Sequence, residues 1–186
     1  MDACKKQPQS EKMKKFLKRF VNILLLTFVL ACSSCNHSAA YVKIANKITD
    51  RIGKKLQKEK GLVLIGKGGK MTNDIQLMRM AFYFYPPMPI KAARSLLLYS
   101  IKEYLLAINE NKKIQSYLHV YPFTAENVEI VIYFYNRNGA FTLAEELDLA
   151  IAKNGRFTYF IKDPKTKNCK EMYVETFEEA LQIGHN

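Results

Sequence analysis

Phe20 to Ala31 is an apolar run broken only by Asn22 and Thr27. Lys14, Lys15, Lys18 and Arg19 precede it, and small residues with Cys32 follow at once. A basic head, a short apolar stretch and a small-residue exit are the plan of a secretory signal. The run is too short to cross a hydrocarbon core of about 30 Å, which takes roughly 20 apolar residues. A buried hydrophobic helix and an uncleaved signal anchor are the competing readings. The basic head and the abrupt polar break Ser33-Ser34-Cys35-Asn36-His37-Ser38 argue against both. The fold is therefore to be sought after this segment. We read residues 1–31 as the signal, 32–40 as a polar spacer and 41–186 as a single domain. Asp2 and Glu11 dilute the charge of the first twelve residues, so translation is expected to begin at Met13.

The end of the run, Val29-Leu30-Ala31-Cys32, resembles the lipobox of bacterial lipoproteins. Leu30 departs from the small residue usual at that place, and the resemblance covers only the first fifth of the chain. It implies that Cys32 is the lipidation site. The cysteine would receive a diacylglycerol on its sulfur, carry fatty acyl chains such as palmitate, and begin the mature chain. In that family an Asp after the cysteine usually retains the protein on the inner membrane. Ser33 stands here, which implies the outer membrane, facing the periplasm, in an organism that has one. The partner implied is the membrane itself, through the lipid anchor.

Charge is uneven. From Cys32 onward there are 22 Lys/Arg against 15 Asp/Glu. The excess lies between Tyr41 and Lys70, with nine bases and two acids; from Met71 onward 13 bases meet 13 acids. The basic character is a local arm rather than a global field, so it does not point to nucleic acid. Cys35 and Cys169 either bridge in an oxidising envelope or stay free. With Cys32 taken as the lipid site, the two remaining cysteines and three histidines show no CxxC or HxxxH spacing, so zinc is not expected.

Tyr41–Lys58 reads as a helix. Ile44, Ile48, Ile52 and Leu56 recur every fourth residue, with Lys43, Lys47, Arg51, Lys54 and Lys58 opposite. Those lysines are membrane-facing or partner-facing candidates on an amphipathic helix beside an anchor. The other reading is a core helix with solvated lysines. Gly61–Gly66 reads as a short strand, Lys67–Lys70 as a glycine turn and Ile75–Tyr85 as a second strand. GKGGK lacks the spacing of a phosphate loop. Pro86, Pro87 and Pro89 end the strand, and an apolar helix follows over Ile90–Asn109. Lys112–Leu118 adds a helical turn, and Val128–Tyr135 is the strongest strand. Residues 143–152 fit either a helix or a strand; Asn154-Gly155 before Arg156–Lys162 is a hairpin signal, so Glu146–Ala152 is read as strand. Cys169–Val174 makes a sixth strand. Thr176 and Glu179 form a capping box that opens a terminal helix. Hairpins dominate the second half. We expect an α+β domain, an antiparallel sheet with helices packed on one face.

Chemistry is sparse. There is no GxSxG and no cofactor motif, and Glu145 and Glu146 are adjacent rather than paired across a cleft. His119 is the one histidine inside the expected fold, either a general base or a loop residue bonded to backbone. Tyr83-Phe84-Tyr85 and Tyr133-Phe134-Tyr135 end two strands. If these strands are neighbours, alternation sends the phenylalanines to one face and Tyr83, Tyr85, Tyr133 and Tyr135 to the other. The tyrosines would then offer a surface to an envelope protein, glycan or lipid, or simply stabilise the sheet through cross-strand pairs. The expectation is a lipid-anchored, non-catalytic binding or scaffolding domain. The alternative is an envelope hydrolase with its site near His119.

Overall fold

The computed structural model describes residues 40–85, 87–135, 147–163, 165–166 and 168–184. Cys32, Cys35, Glu145 and Glu146 lie outside these residues, as do residues 143–146 of the segment that fits either a helix or a strand. Tyr41–Asn186 is one compact unit that holds its own hydrophobic core, so it is expected to fold without the residues before it.

Among the described residues, six strands and four α-helices make an α+β domain: α1 (residues 40–60), β1 (Val63–Lys70), β2 (Leu77–Phe84), α2 (Ile90–Asn109), α3 (Lys112–Gln115), β3 (Val128–Phe134), β4 (Leu149–Lys153), β5 (Arg156–Lys162), β6 (Cys169–Thr176) and α4 (Phe177–Gly184). The strands lie in chain order, β1-β2-β3-β4-β5-β6. The expected antiparallel sheet is in fact mixed. Four neighbour pairs are antiparallel, but β2 and β3 run parallel. A parallel pair needs a crossover, and α2 supplies it.

The helices cover one face. Met78, Met80 and Phe82 of β2, Ile130 and Ile132 of β3, and Phe157 and Tyr159 of β5 point into the layer formed by the helices. From α1, Tyr41, Ala45, Ile48, Ile52 and Leu56 meet them; from α2, Ala93, Leu97, Ile101, Tyr104 and Ile108. Each such Ile or Leu contributes about 1.5–3 kcal/mol by leaving water. The α1–α2 contact carries one buried polar link. Thr49 donates its hydroxyl proton to the Ala45 carbonyl at 2.9 Å, so across the 2.7 Å contact Tyr104 must be the donor to Thr49. Burial raises the Tyr104 phenol well above the ordinary range.

The glycine turn needs correction. Lys67–Lys70 is not a turn; β1 runs through it, and the chain reverses at 71–76 instead. Gly69 adopts φ 157, where a Cβ would lie 2.0 Å from the Leu77 carbonyl oxygen. Glycine permits this backbone approach, and the strand continues. Gly53 likewise answers to packing: a Cβ there would sit 2.7 Å from Leu64 Cδ2 and force that side chain to move. The strand before Asn154-Gly155 spans Leu149–Lys153 rather than starting at 146. The two turn residues have φ 50 and 68, the left-handed pair of a tight hairpin, with Lys153 opposite Arg156.

Candidate functional site

The face of the sheet that no described helix covers is built by the same alternation that fills the core. In the parallel register Tyr83 lies beside Tyr133 and Phe84 beside Phe134. The phenylalanine rings meet edge-to-face at 6.1 Å on the helix side. The tyrosines gather on the other side: Tyr83 lies 6.1 Å from Tyr133 and 4.8 Å from Tyr135, both edge-to-face, and Tyr85 lies 6.2 Å from Tyr135. The Tyr135 amide bonds the Phe84 carbonyl at 3.0 Å, which carries the ladder one residue further and fixes the fourth ring. Tyr135 remains 46% exposed. Partial burial, with Tyr83 beside it, raises its phenol above the ordinary value, so this ring presents a neutral hydroxyl at physiological pH. Such rings offer flat apolar area with a polar rim.

Further along this face the strands carry charge. Glu129 lies between Arg79 on β2 and Lys153 on β4, at 3.3 and 3.6 Å. The pairing Gly66↔Ala81 and Gly68↔Arg79 leaves β1 without side chains beside them. A shallow hollow of about 360 Å³ results, lined by Gly66, Gly68, Lys70, Leu77, Arg79, Ala81 and Glu129. Little in the sequence marks it. The one signal was Glu129, the lone charge in VEIVIYF.

Lys43, Lys47, Lys54 and Lys58 are all exposed on α1, on the helix side of the sheet, so the structure does not bring them together with the tyrosines. His119 follows a short parallel bridge between Ile75 and Leu118. Its amide donates to the Ile75 carbonyl at 2.9 Å, and its Nδ1 lies 2.6 Å from Asp74 Oδ2. The imidazole holds the Asp74 carboxyl below its ordinary value, helped by Gln76. The ring is more than half exposed, and neither residue lines the hollow described above. Among the described residues no Ser, Thr or Cys side chain hydrogen-bonds His119. No cluster of three or more His, Cys, Asp or Glu among them converges as metal ligands, and no helix among them is long and apolar enough to cross a membrane. Cys169 donates to Asp148 Oδ2 at 3.3 Å, and burial with that carboxylate pushes its thiol up, away from the reactive thiolate.

Comparison of the chain with protein-family models, with curated proteins and with solved structures returns no match. The described residues define an α+β domain with one helix-covered sheet face and, on the other face, a cluster of aromatic rings that no described helix covers.

Proposed function

We propose that the protein is a non-catalytic binding module, lipid-anchored through Cys32 at a bacterial envelope membrane and engaging an envelope component on the open sheet face. The tyrosine cluster is the observation that carries the binding half. Four rings from two adjacent strand ends sit together on the face the helices leave free, and Tyr135 is substantially exposed. Aromatic rings with polar tips are enriched at recognition surfaces because one group supplies both apolar area and a hydrogen bond. The lipobox-like Val29-Leu30-Ala31-Cys32 supports the anchoring half.

A photoreactive phenylalanine analogue at Tyr135 tests the first half in the anchored chain. We expect a discrete adduct there and none from the same analogue at Leu106, which is exposed on the helix side. Equal labelling at both positions, or no adduct at Tyr135, removes the sheet face from the reading. Cys32→Ala tests the anchor: it should leave an unprocessed or soluble form, and a variant that is processed and fractionates like wild type ends the lipoprotein reading.

One observation favours an envelope hydrolase instead. The 2.6 Å His119–Asp74 contact is the base-and-orienter half of a catalytic array. With no nucleophile bonded to the imidazole among the described residues, we rank it second. A His119→Ala protein that keeps its adduct at Tyr135 fits the binding reading.

A further inference from the structure

Lys43, Lys47, Arg51, Lys54 and Lys58 are exposed at spacings of four, four, three and four residues along α1. With 3.6 residues per turn they fall within an arc of about 80° and extend over roughly 22 Å. The buried residues Tyr41, Ala45, Ile48, Ile52 and Leu56 occupy nearly the opposite side. The row is unneutralised: among the described residues none of its five cations has a salt-bridge partner. Glu110 lines a hollow with Arg51 but is not salt-bridged to it, and the other acids nearby are engaged elsewhere. Asp50, at the edge of the row, is held by Lys67 of β1 at 2.6 and 2.8 Å. Glu59 accepts from the Tyr99 hydroxyl, and the flanking Lys55 is taken by Glu103 at 2.6 Å.

We infer that this row is an electrostatic docking surface for a bilayer of anionic phospholipid. The inference rests on the anchored reading, because the anchor is what brings lipid near. Lys43 stands only eleven positions after Cys32, a reach of at most about 40 Å when fully extended. The contact is with headgroup phosphates and does not involve insertion, since the apolar side of α1 is committed to the core. Five cations aligned on a rigid helix match a flat sheet of negative charge, each worth roughly a fivefold gain in partitioning. The geometry also sets an orientation. α1 packs on the helix side of the sheet, so laying its outer side on lipid turns the tyrosines away from the membrane, toward whatever they engage.

The test uses the Ala40–Asn186 domain, which has no lipidation site, and vesicles of phosphatidylcholine with or without phosphatidylglycerol. We expect co-sedimentation with the anionic vesicles only, weakening as salt rises. Replacing Lys43, Lys47, Lys54 and Lys58 together by Gln should lower binding by roughly a hundredfold or more while the melting temperature stays unchanged. On the vesicles, amine-reactive labelling of these four lysines should be suppressed while Lys153, on the open face, still reacts. Failure to bind anionic vesicles at low salt overturns the proposal, as does binding that the four-Gln variant retains. Protection of Lys153 in place of the α1 lysines overturns the orientation. Tighter binding to a single-stranded polynucleotide than to the vesicles would assign the row to nucleic acid instead. Because the domain carries no anchor, these results are independent of whether Cys32→Ala alters processing, so the two readings can fail separately.

Discussion

Two glutamates, one on each face of the sheet, show how differently the same ion pair is used. Glu175 of β6 is buried under α2, where Arg94 Nε grips both its oxygens at 2.7 and 2.9 Å and the Tyr159 hydroxyl donates to one of them at 2.5 Å. Glu129 of β3 is also buried, at 6% exposure, yet its partners Arg79 and Lys153 are about half exposed and stand at 3.3 and 3.6 Å. Arg94 and Tyr159 are shut off from solvent with Glu175, whereas Arg79 and Lys153 keep about half of their side chains exposed to it. The first network is therefore structural and all-or-none. The second is adjustable, and lies where a ligand can compete for its cations.

Breaking the covered network should have the largest effect. Arg94→Ala strands a buried carboxylate and is expected to cost about 3–5 kcal/mol in a urea titration, whereas Arg94→Met with Glu175→Leu should recover most of that loss. A double variant as unstable as the single one would show that packing, not the stranded charge, was responsible. Tyr159→Phe removes only the hydroxyl donor and should cost about 1.5–3 kcal/mol, the range for hydrogen bonds to charged groups. Its phenol is pushed far up by burial and by Glu175, so it stays a donor throughout the accessible pH range. On the open face Glu129→Gln should cost less than about 1 kcal/mol and lose even that at high salt. A cost equal to that of Arg94→Ala would erase the contrast between the faces.

The smallest effect concerns pH. Asp74 in the folded chain titrates below its ordinary 3.8, chiefly because His119 bonds it. A depressed carboxyl contributes stability above the unfolded value, and that contribution fades as pH falls from 3.8 through the lowered folded value. In His119→Ala the Asp74 resonance, followed by NMR, should titrate closer to 3.8. An unchanged titration would mean the imidazole is not the cause.

Local signals carried much of this fold. Prolines at 87 and 89 and a sustained apolar period place α2 at Ile90–Asn109, where the sequence puts it. Thr176 and Glu179 exchange backbone bonds at the start of α4 as a capping box requires, at 2.7 and 3.1 Å. Alternation alone sorted the two Tyr-Phe-Tyr triplets, once their strands proved to be neighbours. What escaped is non-local. Nothing near Glu175, in the polar strand CKEMYVET, marks a residue that will be buried against Arg94, 81 positions earlier. His119 and Asp74 are 45 apart and meet only because the Ile75–Leu118 bridge joins two loops. GKGGK looks like a turn because glycine density usually marks one; here the glycines admit a close backbone and leave a hollow.

Strands laid down in chain order leave β1 and β6 as the margins of the sheet among the described residues. An unpaired strand margin is a template on which another copy can polymerise. β1 is blunted by the irregular register between Leu64 and Gly66 and by Lys67 and Lys70, and β6 carries Lys170 and Glu171 on its exposed half, beside a second irregularity at Tyr159/Phe160. These devices discourage lateral stitching of one sheet to the next. Molecules of this kind can therefore be crowded on a two-dimensional surface, at densities that would turn an unguarded sheet into fibre, and still stand as separate units.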